Sequence, residues 1–214
     1  MKIYIIHLVV ILLLTTCAQK NIEKNTTWTL YTNSKYKIIC FPKRITPSMY
    51  NDYIHYCAMN YGVDASLVKA IIQVESNYNP AVISKSNAVG LMQLKADTAG
   101  RDAYRLKGWR GEPSIHELKN AAVNIDLGTA YLSILQKQLE GIIDIKTRRY
   151  AIIVAYVNGL SALLKTFSID RNYAIEKINK LNPEQFYQHI QSHHPSKQAQ
   201  RYLFKVNSIY ITQN

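Results

Sequence analysis

The chain has 214 residues, of which 48% are hydrophobic and 19% charged. That balance excludes a wholly disordered polymer, and the length suits one domain with a tail, burying about 70% of its unfolded surface. Twenty-six Lys and Arg against fourteen Asp and Glu give a formal charge of +12, so anionic partners are expected: nucleic acid, acidic lipid or an acidic polymer.

Met1-Lys2 is a basic tip ahead of an apolar run over residues 3–14, broken only by His7. Twelve helical residues reach about 18 Å against a hydrocarbon core of about 30 Å, so the run reads as an export signal and not as a membrane span. Leu14-Thr15-Thr16-Cys17 resembles the cleavage box of bacterial lipoproteins. The resemblance implies a signal peptide over 1–16, lipidation of Cys17 as the first mature residue, and a mature charge of +11 once Lys2 is gone. Several acyl chains on one residue anchor stably, whereas a single chain is marginal. Ala18 in place of Asp after that Cys implies an outer-membrane lipoprotein facing the periplasm. An ordinary signal with a coincidental Cys is the alternative. An oxidising compartment permits a disulfide between Cys40 and Cys57, with two free thiols as the other outcome.

Residues 18–45 are rich in Asn, Thr and Lys and read as a polar tether, extended near 38–41. From residue 46 the apolar spacing becomes helical, over 49–60, 64–76, 122–140, 145–157, 160–167, 172–180, 183–193 and 196–210. Turn signals separate these segments at Gly62, 108–113, Gly141 and Gly159. Little strand signal competes, so the expectation is one all-α domain over 46–214.

The helix over 64–76 holds the most informative residue. Asp64 suits its N-cap, and Val68, Ile71 and Ile72 form the i, i+3, i+4 stripe that faces a core. Position i+7 on that stripe is Glu75, where a carboxylate belongs least, because apolar surroundings disfavour its charged form. Either the helix frays and Glu75 escapes to water or an Arg, or Glu75 is a general acid kept protonated near neutral pH. Cleavage of a glycosidic bond commonly employs two carboxylates. Asp64 lies eleven residues upstream, about 16 Å along the helix, and cannot be the partner. Asp97, the first acid downstream, would need tertiary folding to approach. The local sequence therefore offers one catalytic carboxylate.

Glu75-Ser76-Asn77-Tyr78-Asn79-Pro80, then Ser84-Lys85-Ser86-Asn87, then Gly90-Leu91-Met92-Gln93 resemble, in order and spacing, the signature of lytic transglycosylases with the goose-lysozyme-like fold. Stretches from Lys95 to Tyr104, from Gly108 to Pro113, at Glu117-Leu118-Lys119-Asn120 and from Ala162 to Phe167 extend the resemblance, which covers residues 50–210. It implies a lysozyme-like helical domain with a central cleft. It also implies non-hydrolytic cleavage of the β-1,4 bond between N-acetylmuramic acid and N-acetylglucosamine in peptidoglycan, within glycan strands, leaving 1,6-anhydromuramic ends. The substrate's own N-acetyl group would replace the second carboxylate, and neither metal nor organic cofactor is implied.

Residue by residue, the resemblance carries over Glu75 as acid and base, and Ser84 and Ser86 as the hydroxyls that orient the acid and the acetamido group. Tyr202 would contact substrate at the cleavage point, Gln93 would bind in the cleft and Met92 would line its wall. Asn87 stands where many relatives have Gly, and Asn tolerates a left-handed backbone better than most residues. In Ala155-Tyr156-Val157-Asn158-Gly159, Tyr156 and Asn158 both match substrate-binding positions, yet on a continuous helix they point about 200° apart, so one of them is expected to face the cleft. His189, His193 and His194 lack an accompanying HExxH and read as a solvated helix end. Export disfavours nucleic acid, and peptidoglycan carboxylates and an anionic membrane surface suit the positive charge. Two other readings stay open: a muramidase that hydrolyses the same bond, and a lipoprotein that binds peptidoglycan without cutting it.

Overall fold

The computed structural model describes residues 28–32, 38–42 and 46–213, so the expected export signal and Cys17 lie outside the described residues. Trp28–Thr32 (β1) and Ile38–Pro42 (β2) pair as an antiparallel ladder with Leu30 opposite Cys40. The extension expected near 38–41 is thus one arm of a hairpin. Its partner, Trp-Thr-Leu-Tyr-Thr, is a short run of β-favouring residues within a polar segment.

Ten α-helices follow among the described residues. They are α1 (Tyr50–Tyr61), α2 (Ala65–Ser76), α3 (Arg101–Leu106), α4 (Ile115–Lys119), α5 (Ala121–Gln138), α6 (Ile145–Asn158), α7 (Leu160–Lys165), α8 (Arg171–Asn179), α9 (Pro183–His193) and α10 (Lys197–Thr212). None of the described helices is long and apolar enough to cross a membrane. Eight match the expected segments; α3 and α4 are additional. Five or six residues give too little periodicity to register, but α4 carried a readable sign. Its Ser114…Glu117 pair forms a reciprocal capping box, each side chain bonded to the other residue's backbone N–H. Polar caps begin the longer helices too: Asp64 accepts from the Ser66 N–H, Asp144 from Thr147 and Asn182 from Gln185. Caps of this kind contribute about 1 kcal/mol each.

Helix α5 is the centre. Eleven of its eighteen residues are buried, on every side of the helix, as suits a helix enclosed by others. Helices α1, α3, α4 and α6 pack on it, α10 lies on both α2 and α6, and α1 joins α2. Gly128 permits the closest approach: a Cβ there would lie 2.2 Å from the Met92 sulfur.

A charged knot closes one flank of α5. Lys107 Nζ lies 2.7 Å from Asp126 Oδ2 and donates to the Tyr61 hydroxyl, which in turn donates to Asp126 Oδ1. Both charged side chains are buried, where losing one partner would strand the other. The knot ties α1, α5 and the turn after α3 together. Beside it Cys57 is a free thiol among the described residues, 1% exposed, while the side chain of Cys40, its possible disulfide partner, lies outside them.

Of the three histidines at the end of α9, His193 is exposed, as expected of a solvated helix end, whereas His189 is half-buried and His194 buried. His189 stacks between Phe167 and His193, with ring centroids 4.4 and 4.3 Å away, and His194 is 2% exposed. Aromatic packing between the end of α7 and α9 has claimed His189.

Candidate active site

Helix α2 continues through Glu75 to Ser76, and Asn77, at φ 49°, ends it in the left-handed region. Val68, Ile71 and Ile72 are all wholly buried, so the stripe holds its course and delivers Glu75 half-buried to the edge of the core. Burial pushes its carboxyl up to about 7; the hydrogen bond from Tyr202 opposes the rise without cancelling it. That bond, 2.7 Å from the Tyr202 hydroxyl to Glu75 Oε1, bridges α2 and α10 across 127 residues of sequence. Tyr202 is the hydrogen-bond partner of this carboxyl among the described residues, which leaves Oε2 for a ligand. Burial and the nearby Glu75 charge hold the Tyr202 and Tyr156 hydroxyls well above the usual phenol range, so both remain neutral donors.

Glu75 opens on a cleft of about 470 Å³. Ser84, Ser86, Gln93 and Tyr202 join it on the lining, as the motif spacing implied. The serines bond to each other, 3.1 Å apart, and Ser84 Oγ accepts from the Ala88 N–H. Neither bonds to Glu75, so Tyr202 supplies the contact expected of a serine. Asn87 adopts φ 62°, which is the left-handed turn that its amide side chain tolerates.

Tyr156 and Asn158 both line the cleft, against the expectation that one would. The helix stops there: α6 ends at Asn158, and Gly159, at φ 84°, carries the chain away. The cleft therefore wraps a helix end and reaches two sides of it. The Tyr156 hydroxyl, however, donates to the Met92 carbonyl at 2.7 Å, so the ring is the part left to face a ligand. It meets Tyr131 with centroids 5.7 Å apart, forming an aromatic wall.

Met92 is a correction. Its side chain is 0% exposed, packs against Gly128 and does not line the cleft; what matters at this residue is the backbone. Glu75 is the sole carboxylate among the lining residues and Lys95 the sole cation, while Asp97, though adjacent to lining residues in sequence, is not on the wall. The local argument for one acid thus survives folding. Residues that sequence reasoning missed are Lys95, Thr98, Tyr131 and Gln198 on the lining, and Asn124 behind it.

The arrangement is one half-buried carboxyl at its own helix end, held by a tyrosine, opposite hydroxyl and amide groups in an open groove. Comparison with known proteins decides its family. The Transglycosylase SLT domain family model matches residues 52–179, more than half of the chain. The chain belongs to the SLT transglycosylase family. Over 147 residues, covering 68% of this chain and 72% of the relative, it is 58% identical to the endo-type membrane-bound lytic murein transglycosylase A of Cronobacter sakazakii. Over the same spans it is 56% identical to the protein of that description from Klebsiella pneumoniae. Among solved structures it resembles an inactive Glu-to-Gln mutant of the lytic transglycosylase Slt from Pseudomonas aeruginosa, with a TM-score of 0.61 and 26% identity. That likeness covers 78% of this chain but 24% of the larger protein, so the SLT domain is the shared part. The expectation of a lysozyme-like all-α SLT domain is therefore met, with the α5-centred bundle as its body.

Removing the Tyr202 hydroxyl gives a first test of the SLT site. Tyr202→Phe takes away the interaction that favours the Glu75 carboxylate, so the carboxyl should hold its proton to a pH above 7. The alkaline limb of kcat/KM for cleavage should move to higher pH, while the peak rate drops severalfold because the acid is less well aligned. A profile measured from pH 5 to 9 with an unmoved alkaline limb would disconnect Tyr202 from the acid.

Proposed function

We propose that this protein is a lytic transglycosylase that cuts peptidoglycan within its glycan strands, at the β-1,4 bond between N-acetylmuramic acid and N-acetylglucosamine. The observation that carries the reading is Glu75: one carboxyl on the cleft wall, held up at about 7 by burial. An unperturbed Glu would be protonated about once in 500 at pH 7; this one, held up by burial, keeps its proton far more often.

Glu75 gives its proton to the glycosidic oxygen as the C1–O bond breaks. The N-acetyl group on the same sugar shields the cation that forms at C1, the task a second carboxylate performs in two-acid glycosidases. Glu75, now a carboxylate, takes the proton of the muramic acid 6-hydroxyl as that oxygen bonds to C1. A 1,6-anhydro ring results, no water is consumed, and Glu75 is again protonated. Gln93, whose Nε2 donates to the Val82 and Gly90 carbonyls, offers its Oε1 to the sugars, Asn158 offers its amide, and the Tyr131 and Tyr156 rings offer apolar faces. In this reading Ser84 and Ser86 meet the acetamido group. Positive charge on the chain suits the carboxylates of peptidoglycan, an attraction that weakens as salt rises.

Two finer points belong to the same reading. Lipidation at Cys17 would hold the protein at the membrane through the tether, and the Ala18 that follows favours the outer membrane with the domain in the periplasm. The relatives' description as membrane-bound supports attachment.

The deciding experiment digests purified sacculi with the protein and weighs the released muropeptides. Anhydro products, one water lighter than hydrolysed ones, support the lyase, and long released strands support cutting within chains. Reducing-end products would make it a hydrolase, and binding without products would make it a wall-binding lipoprotein.

A further inference from the structure

Behind the cleft wall, a turn over residues 89–93 is held by side chains from three helices. From α5, Asn124 Nδ2 donates to the Val89 and Leu118 carbonyls, both at 2.8 Å, while its Oδ1 accepts from the Met92 N–H at 2.8 Å. From α2, the Ser76 hydroxyl, next in sequence to Glu75, donates to the Leu91 carbonyl at 2.8 Å and also lies 3.1 Å from the Ile72 carbonyl. From α6, Tyr156 reaches the Met92 carbonyl.

The turn needs such support. Gly90 sits at φ 82° and Gln93 at φ 47°, and Gln93 Nε2 donates to the Gly90 carbonyl, tying the end of the turn to its start. A Cβ on Gly90 would lie 2.3 Å from Asn124 Nδ2 and 2.4 Å from the Leu118 carbonyl oxygen, so glycine and asparagine are fitted to one another. Asn124 is 0% exposed, with both amide hydrogens and its oxygen bonded. An apolar residue could fill that space on α5; it could not satisfy the Met92 N–H that Asn124 Oδ1 accepts from. The turn delivers Gln93 to the wall that Glu75 occupies.

We propose that Asn124 is a positioning residue for the cleavage reaction: through the 89–93 turn it sets Gln93 in register with Glu75. Asn124 touches no substrate; its effect passes through Gln93. The inference rests on the function proposed above. Its test therefore includes the wild-type protein, whose failure to release anhydro products would defeat that function first.

The test is a double-mutant cycle on the full chain in mild detergent, with kcat and KM on sacculi expressed per folded molecule. Asn124→Asp keeps the shape but replaces two donors by an acceptor facing two carbonyls; Asn124→Ala removes all three bonds. Each is expected to lower kcat/KM about 10- to 100-fold per folded molecule. In a Gln93→Ala background the same substitutions should cost less than threefold, because their effect passes through the Gln93 side chain, which is no longer there. A role in stability alone would lower the melting temperature yet leave kcat/KM per folded molecule unchanged, with or without Gln93. Unchanged kinetics in a folded variant, equal losses in both backgrounds, or failure of both variants to fold even at low temperature would each overturn the proposal.

Discussion

Glu75→Gln is expected to lower the release of anhydro-muropeptides about 10³-fold while leaving the helical circular dichroism unchanged. The size follows from the two proton transfers assigned to one carboxyl. General acid–base catalysis contributes about 10² to 10⁴, and a primary amide can neither give nor take that proton. About 4 kcal/mol of barrier corresponds to the central figure. Folding should persist because Gln keeps the shape of Glu and its Oε1 can still accept from Tyr202, so the α2–α10 bridge remains. Turnover within tenfold of wild type, with contaminating activity excluded, would remove Glu75 from the reaction.

The same substitution should raise stability at alkaline pH. In the folded chain burial holds the Glu75 carboxyl up at about 7, against 4.5 as its ordinary value. Below pH 4.5 both the folded and the unfolded chain carry the proton, and Glu75 exacts no penalty. Between 4.5 and 7 the unfolded chain releases its proton while the folded chain retains it, so stability falls as pH rises. Above 7 both are ionised and the deficit is complete, about 3 kcal/mol. Glu75→Gln does not titrate and escapes it. At pH 8 the variant should melt roughly 6–12 °C above wild type, and near pH 4.5 the two should converge. Equal melting temperatures at both pH values would mean that the carboxyl is better solvated than its surroundings indicate. A gain in stability on losing the acid is the expected mark of a group placed for chemistry against the preference of the fold.

The acid was legible because helical periodicity is local: Val68, Ile71 and Ile72 share a face, and the position after them on that face was occupied by the wrong kind of residue. The Asp64 cap was legible for the same reason, since its partner, the Ser66 N–H, lies two residues away. What escaped depended on partners distant in sequence. The resemblance puts Met92 on the wall beside Gln93, yet at φ 47° Gln93 turns the chain and the two side chains part company. Tyr156 and Asn158 do stand on opposite faces of the last turn of α6, and both reach the cleft because the helix stops at Asn158, an end that the spacing of the two residues does not announce. Tyr202 came from resemblance, and its bond to Glu75 spans too much sequence for any pattern to reveal. Asn124 did leave a trace: an amide amid the buried positions of the most enclosed helix has to be answered by a partner, and the sequence could not say which.

Cys57 bears on how the folded domain would respond to oxidants. Its thiol is 1% exposed, and burial pushes it up, far from forming the reactive thiolate. In the folded domain the α1–α5 core is therefore complete with this sulfur reduced, and an oxidant in solution meets no accessible thiolate there.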